Sequence, residues 1–134
     1  MKLTLLSPER TLFTETSVES VLLFSTEGEI EILPGHAAMM GQLETGIFKI
    51  RGDVQNENRA GFISTGFYEV SGDDTHLKIT ADTLEFAPEI DVDRARKAQK
   101  KAEEVLEDPQ ISEDRFKKYQ LKLQRALIRQ QLGK

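Results

Sequence analysis

The side chains of this chain that could do acid–base, nucleophilic or metal chemistry are few and widely separated. It has two histidines and no cysteine, so thiolate nucleophiles, disulfides and cysteine metal sites are not available. His36 and His76 fall on separate turn and strand segments without the spacing of metal ligands. With 23 Asp and Glu residues, two carboxylates will lie close somewhere by chance, so a glycosidase acid pair is not indicated. We therefore expect no catalytic residue and no metal site.

A predicted strand and turn present a carboxylate and an imidazole together. Glu29-Ile30-Glu31-Ile32 alternates acid with isoleucine, which places both glutamates on one face and both isoleucines on the other. Leu33-Pro34-Gly35-His36 follows as a turn, because Pro presets φ and Gly accepts a left-handed conformation. Such an exposed strand and turn could engage cationic and polar loops of a partner. The alternative is that His36 is a turn histidine bonded locally.

The stretch from Glu85 to Ala95 marks a change from strands to helices. Pro88 lacks a backbone N–H and cannot continue a strand interior. Asp91 can accept the free N–H groups that open a helix and places negative charge at its positive end. We therefore predict a hinge near Pro88, with the chain divided into residues 1–87 and 88–134.

The first part reads as short strands separated by turn signals. No helix-length segment lies between the strands to support parallel crossovers. We predict a mainly β fold here, a flattened β-sandwich or barrel of about ten strands. The predicted strands are residues 2–6, 11–25, 29–32, 46–50, 60–67, 68–70 and 75–80, with a polar loop at Asp53–Arg59 and a turn at Ser71–Asp74.

The second part has helical periodicity. The spacing predicts a first helix from Asp91 to Glu107, ended by Asp108-Pro109, and a second helix opened by Ser112. Two helices joined by so few residues must return antiparallel, as a hairpin. Its predicted apolar positions are Val92, Ala95, Ala98, Ala102 and Val105 on the first helix, and Phe116, Tyr119, Leu123, Ala126 and Leu127 on the second.

Charge is divided unevenly at the hinge. Residues 1–90 hold 6 Lys and Arg against 15 Asp and Glu, or −9, and residues 91–134 hold 12 against 8, or +4, which sum to −5. A basic tail on an acidic body could fold back on that body, or meet an acidic partner or phosphates. The alternative is a helix surface decorated with solvated lysines.

Nothing in the sequence predicts a membrane span or a secretion signal. No apolar run approaches the roughly 18 residues needed to cross a bilayer, and Met1–Leu6 is too short for a signal peptide. The lack of cysteine fits a reducing compartment. We expect a soluble chain that meets a membrane only through partners.

The run Gly28–Ala37 resembles the corresponding turn, G-x-(I/L)-G-I-L-P-G-H-A-P, of the epsilon subunit of the bacterial F-type rotary ATP synthase. The resemblance continues through Gly66–Val70, Leu77–Asp82, Ile90–Ala95 and Arg125–Leu127, in order and over nearly the whole chain. Three positions depart from the family pattern: Glu31 and Thr65, where glycine is usual, and Ala38, where proline is usual.

The resemblance implies a noncatalytic subunit of the central stalk. In the family the sandwich binds the gamma subunit and stands on the ring of c subunits, so that ring rotation driven by a proton or sodium gradient reaches the catalytic head. Glu29 and His36 match family residues at the ring contact, and Glu31 alters the strand beside them. The implied location is peripheral, on the cytoplasmic face of the bacterial inner membrane.

The resemblance also implies a regulatory role for the hairpin. In the family it moves between a folded state and an extended state that reaches the alpha and beta subunits of the catalytic head and restrains ATP hydrolysis. The basic residues of the second helix would suit acidic surfaces there. These residues are Arg115, Lys117, Lys118, Lys122, Arg125 and Arg129.

Some bacterial members bind ATP on the folded hairpin as a regulatory ligand, and no cofactor is otherwise required. Their motif, Ile/Leu-Asp-x-x-Arg-Ala, is matched by Ile90, Asp91, Arg94 and Ala95, while Lys101 replaces an arginine of strong binders. Guanidinium groups suit phosphate oxygens better than ammonium groups do. The alternative leaves Asp91 as a helix cap and Arg94 as a solvated or ion-paired residue. Glu85, Arg125 and Arg129 occupy the remaining matching positions.

A binding module of another class is the alternative function. The basic hairpin could hold nucleic acid or serve as an adaptor, but the strands show no interleaving of aromatic and basic residues and the body is acidic. We therefore expect no nucleic-acid partner.

Overall fold

The computed structural model describes residues 1–53, 58–72 and 75–133. The chain divides into two compact units, Met1–Phe86 and Ala87–Lys134. The first unit consists of β-strands and the second of helices. The strands are β1 (Lys2–Leu6), β2 (Thr11–Ser17), β3 (Ser20–Ser25), β4 (Gly28–Ile32), β5 (Met39–Leu43), β6 (Gly46–Arg51), β7 (Arg59–Ser71) and β8 (His76–Phe86).

The strand pairings fold the sheet onto itself. The strand order is β2-β1-β8-β7-β5-β3-β4, and β6 pairs with both β3 and β7. Because β5 and β6 each bridge β3 to β7, the four strands form a closed circuit of hydrogen bonds. Only the pairing of β1 with β8 is parallel among the described strands. The predicted β-sandwich is therefore confirmed.

The described residues form eight strands, where the sequence predicts about ten. The predicted break between residues 67 and 68 is absent, because β7 is continuous there and the neighbouring Gly66 packs tightly against β8. A Cβ added to Gly66 would lie 2.3 Å from the carbonyl oxygen of Thr80. β8 likewise continues past the predicted end at Thr80, as far as Phe86.

The core of the first unit lies between the folded halves of the sheet. Apolar side chains at alternate positions of the strands point into it. Burying each such Leu, Ile or Phe contributes about 1.5–3 kcal/mol to folding. The largest fully buried side chains of this core are Phe48, Leu3, Leu5, Leu23, Ile32, Ile50, Ile63, Leu77, Ile79, Val21 and Val70.

Two predicted connections are described only in part. The polar loop Asp53–Arg59 includes residues 54–57, which lie outside the described residues. Its two end residues, Asp53 and Arg59, form an ion pair in which the carboxylate is buried. Residues 73 and 74 of the predicted turn Ser71–Asp74 also lie outside the described part.

The second unit begins with a short 3-10 helix, Ala87–Glu89, followed by α1 (Val92–Leu106) and α2 (Glu113–Leu132). The Asp91 carboxylate accepts from the Arg94 N–H at 3.1 Å, and the Ser112 hydroxyl accepts from the Arg115 N–H at 3.2 Å. Both predicted N-caps are confirmed. Neither helix is long and apolar enough to cross a bilayer.

The contact between α1 and α2 is narrow and is formed mostly by small side chains. Ala95, Ala102, Tyr119 and Ala126 are the buried residues of the two helices. Near the end of the hairpin, Gly133 lies so close to Val92 that an added Cβ would be 2.5 Å from its Cγ2 atom. Small residues at these positions allow close approach but bury little apolar surface.

The apolar faces predicted for the helices are partly wrong. Ala98 is exposed, and Gln99 lies half-buried beside the buried alanines. On α2, Phe116 and Leu127 are 39% and 48% exposed. The positions of α1 that face the partner helix, Ala95, Gln99 and Ala102, repeat every 3.5 residues on average. The strip they form therefore passes through Gln99 rather than Ala98.

A polar pair crosses the hairpin at this position. The Gln130 side-chain amide donates to the Gln99 Oε1 atom at 2.5 Å and to the Ala126 carbonyl at 3.3 Å. The Gln99 amide donates in turn to the Glu103 carboxylate at 2.6 Å. A polar pair in an otherwise apolar seam fixes the register of two helices at some cost in stability.

We predict that Gln99→Leu or Gln130→Leu alone will increase amide exchange in α1 roughly fivefold, because each leaves a half-buried amide without its hydrogen bond across the hairpin, which costs about 1 kcal/mol. The double substitution should restore protection to the wild-type level or above it, since an apolar pair leaves nothing unsatisfied. Hydrogen exchange of the full chain measures this. Gln124→Leu, on an exposed position of α2, is the control. A double variant less protected than either single variant would contradict the interpretation.

Candidate functional site

Glu29 and Glu31 share one exposed face of β4. They are paired with Phe24 and Leu22 of β3, while Ile32, on the opposite face of the strand, is fully buried. The predicted alternation is therefore present in the structure. Both carboxylates are available to a partner from the same side of the strand.

Basic residues of β6 extend this acidic face. Leu22 pairs with Glu31 on one side and with Lys49 on the other, and Arg51 is the next outward residue of β6. The Arg51 guanidinium lies 4.0 Å from the Glu31 carboxylate, and the two side chains are 67% and 40% exposed. An exposed ion pair of this kind is worth at most about 1 kcal/mol. Glu31 is thus loosely held by a charge of the same chain.

His36 lies in a tight turn after β4. The turn has Pro34 and Gly35 at its centre, with Gly35 at φ +87°, and the His36 N–H donates to the Leu33 carbonyl at 3.1 Å. These features define a type II turn. The His36 Nδ1 atom lies 2.7 Å from the Ala37 carbonyl. Because a carbonyl only accepts, Nδ1 carries the proton, and in the neutral ring Nε2 is left as an acceptor for a partner.

The structure brings together only some of the residues predicted for this site. Glu29 and Glu31 share a face, and His36 follows in the turn beyond the end of the same strand. Among the described residues, no hydrogen bond or ion pair joins His36 to either glutamate. The three side chains are consecutive surface features rather than one pocket.

An exposed apolar surface, which the sequence analysis did not identify, lies on β5 and β7. Met40 is 72% exposed and Phe67 is 61% exposed. Met40 pairs with Glu69, two residues along β7 from Phe67, so the two side chains are diagonal neighbours on one face. Exposed apolar groups of this size mark contact surfaces. The sequence does carry a signal for this surface: Met40 and Phe67 are large apolar residues at positions that strand alternation places on the outer face.

Tyr68 supports this apolar surface from the inner side of β7. Its ring lies against Gly41, where an added Cβ would be 2.8 Å from the ring. Burial, and then the negative charge of Glu27, raise the pKa of Tyr68 above its ordinary value. The phenol therefore stays neutral at physiological pH and holds β5 close to β7.

The residues predicted for a nucleotide cluster at the start of α1. Asp91 caps the helix, and Ile90 and Ala95 are buried, so they serve the hairpin itself. Arg94 is exposed, and no ion pair joins it to a carboxylate within the described ranges. Arg94 is therefore solvated rather than ion-paired.

The other predicted nucleotide residues lie away from the start of α1: Arg125 and Arg129 on α2, and Glu85 on β8. Arg129 accepts the Gly133 N–H through its carbonyl, so it lies one turn before the end of α2 that contacts Val92. Arg125 is one further turn back, about 6 Å along the axis. Both arginines are half-buried and have interactions of their own. Glu85 lies on β8, in the first unit.

Positive charge is concentrated around Tyr119 on α2. The Tyr119 ring is buried, and three cations lie over it: Arg115 at 4.9 Å, Lys122 at 4.8 Å and Lys118 at 6.0 Å from the centroid. The ring quadrupole offsets part of their mutual repulsion. The charged ends still face solvent, so this part of α2 presents a basic surface.

Comparison with known proteins covers the whole described chain. Residues 1–87 match the family model for the ATP synthase delta/epsilon chain, beta-sandwich domain, and residues 89–132 match the model for its long alpha-helix domain. The ATP synthase epsilon chain of Symbiobacterium thermophilum is 33% identical over 96% of this chain and 89% of its own length. That of Geotalea uraniireducens is 32% identical over 99% and 93%.

Two solved structures share the fold. A chain of the Euglena gracilis mitochondrial ATP synthase, in an OSCP/F1/c-ring structure, aligns with a TM-score of 0.82 and 23% identity, over 95% of this chain and 77% of that one. A chain of the Tetrahymena thermophila mitochondrial ATP synthase, in a central stalk/c-ring structure, aligns with a TM-score of 0.65 and 17% identity, over 100% and 96%.

Proposed function

The chain belongs to the delta/epsilon chain family of ATP synthases, and we propose that it works as a noncatalytic rotor subunit of the central stalk. In this role it couples rotation of a c-subunit ring, driven by a proton or sodium gradient, to ATP synthesis in the catalytic head. Residues 1–87 form the stalk-binding domain, and residues 88–134 form the regulatory hairpin. The complex holds the chain peripherally at the cytoplasmic face of the bacterial plasma membrane.

The observation that carries this proposal is that the β-sandwich offers two different exposed surfaces. One is apolar, formed by Met40 and Phe67, and the other is polar, formed by Glu29, Glu31 and His36. A rotor subunit needs a permanent partner and a coupling contact. We assign the apolar surface to the gamma subunit, since buried apolar area gives lasting association. We assign the polar surface to the loops of the c ring.

The contact with the ring is proposed to rest on charge and hydrogen bonding. The ring's loops lie at the membrane surface, and a carboxylate and an imidazole can bind cationic and polar loops without entering lipid. Glu29 has no ion pair with a described residue, whereas Glu31 is near Arg51. Glu29 and His36 are therefore the principal contact residues, and Glu31 is secondary.

We predict that Glu29→Gln combined with His36→Ala will lower ATP-driven ion pumping relative to ATP hydrolysis in reconstituted membranes. The reason is that loss of these contacts lets the stalk slip on the ring. Both side chains are on the surface, so the variant should fold and should still copurify with the gamma subunit through Met40 and Phe67. Glu9→Gln, an exposed acid elsewhere in the first unit, is the control. Unchanged coupling in the double variant would count against the proposed ring contact.

The hairpin is proposed to restrain ATP hydrolysis by binding the alpha and beta subunits in an extended state. Two features support this role. The buried residues shared by α1 and α2 are mainly alanines with a polar glutamine pair, so the folded hairpin is weakly held. The cations around Tyr119 provide positive charge for an acidic surface.

Ending the chain after Ala87 should raise the ATPase activity of the assembled complex and leave assembly intact. This expectation follows because every strand of the sandwich ends at or before Phe86, so both proposed stalk surfaces remain. Steady-state hydrolysis by the purified complex, with subunit stoichiometry checked on a gel, measures it. Equal ATPase activity with and without the hairpin would show that the hairpin is passive.

ATP is proposed as a regulatory ligand of the hairpin. The exposed, solvated Arg94 in the first turn of α1 favours this proposal, because its guanidinium is available to phosphate oxygens beside the free N–H groups of a helix N-terminus. Asp91 would accept from the adenine amino group through the carboxylate oxygen that the helix cap does not use. Arg129, at the same end of the hairpin, and Arg125 would extend the positive charge.

We predict that MgATP will raise the melting temperature of the full chain. At a hundredfold excess over Kd, ligand binding adds about 2.7 kcal/mol to the free energy of unfolding. Arg94→Ala should abolish the rise, while Arg96→Ala, an exposed arginine in the same turn, should not. Differential scanning calorimetry with and without MgATP makes the measurement. An equal rise in the Arg94 variant would exclude Arg94 from nucleotide binding.

A further inference from the structure

The turn that carries His36 has a backbone donor that the turn itself does not use. The type II turn closes with the bond from the His36 N–H to the Leu33 carbonyl, and the N–H of Gly35 takes no part in that bond. Leu33, Pro34 and Gly35 are all exposed. The turn therefore has little packing of its own to fix its direction.

Thr75 provides the partner for this donor. The Gly35 N–H donates to the Thr75 Oγ1 atom at 2.8 Å, across 40 positions of sequence. Thr75 is only 5% exposed, and its carbonyl accepts from the Lys2 N–H at 3.2 Å. The hydroxyl is thus held rigidly at the ends of β1 and β8, and it fixes the turn to them.

The backbone of Thr75 indicates that the hydroxyl has a specific role. Its φ is +45°, a left-handed conformation that is unfavourable for a β-branched residue and is usually occupied by glycine or asparagine. Neither glycine nor asparagine has a hydroxyl group that could accept the hydrogen bond from the Gly35 N–H. Strained residues of this kind persist where the surrounding structure and a functional contact require them.

We propose that Thr75 is a positioning residue for the contact made by His36. Its hydroxyl anchors the Leu33–His36 turn at Gly35, so that the imidazole, bonded through Nδ1 to Ala37, presents Nε2 in one direction. This inference rests on the proposed ring contact of His36. It adds that the contact depends on a residue from the other end of the first unit's sequence.

Three substitutions at Thr75 separate positioning from stability. Thr75→Val removes the hydroxyl and keeps the shape, Thr75→Gly removes the hydroxyl and relieves the backbone strain, and Thr75→Ser keeps the hydroxyl. Solvent exchange of the Gly35 amide, followed by NMR on the full chain, should become roughly five- to tenfold faster in the Val and Gly variants and stay within about twofold in the Ser variant.

The same variants should divide in the same way when coupling is measured. In the reconstituted complex, ions pumped per ATP hydrolysed should fall for Val and Gly and remain at the wild-type level for Ser. The Gly variant is decisive, because a purely structural role for Thr75 predicts that relief of strain leaves coupling unchanged or improves it. Thr45→Val is the matched control, since it removes a buried threonine hydroxyl that bonds Ser64 instead of the turn.

The outcomes distinguish this inference from the proposed function. Unchanged exchange of the Gly35 amide in the Val and Gly variants would overturn the anchoring role. Faster exchange with intact coupling, in a complex that His36→Ala does uncouple, would overturn the positioning role while the proposed function stands. Intact coupling in the His36→Ala complex would overturn the proposed ring contact, and the inference with it.

Discussion

The first unit depends on one strand that hydrogen-bonds along its whole length. The 13-residue strand β7 pairs with β8 on one edge, and on the other edge with β6 over its first half and β5 over its second. The change of partner occurs near Thr65, which has φ +45° and whose hydroxyl donates to the Asp82 carboxylate at 2.9 Å. The core-facing positions of β7 change here, from Ile63 before this residue to Tyr68 and Val70 after it, so Phe67 faces outward.

The sequence was most informative where a single residue type decides the local structure. Asp91 and Ser112 marked both helix starts, because an N-cap is a local hydrogen bond. The alternation of Glu29 to Ile32 predicted which side of the strand is wet. The strand count was harder, because Gly66 is a turn signal by type but here serves close packing against Thr80. That role depends on a strand distant in sequence.

The candidate site was predictable in part for the same reason. Glu29, Glu31 and His36 are neighbours in sequence, so their exposure followed from local pattern. The apolar surface of Met40 and Phe67 arises from pairing between β5 and β7, which periodicity alone does not predict. On the hairpin, Ala98 and Gln99 are adjacent, and a small drift in helical phase decided which one faces α2. The apolar pattern of the sequence favoured Ala98 at the contact, while the register of the two helices placed Gln99 at it.

The parallel pairing of β1 with β8 sets the order in which this protein can form on the ribosome. Lys2 to Leu6 are made before the rest of the sandwich, but their hydrogen-bonding partners, His76 to Thr80, are made after most of it. Until β8 leaves the exit tunnel, Leu3 and Leu5 have no finished core to enter, and the nascent chain carries an incomplete sheet edge. The sandwich can be completed while α2 is still being translated, so the first unit can mature ahead of the hairpin.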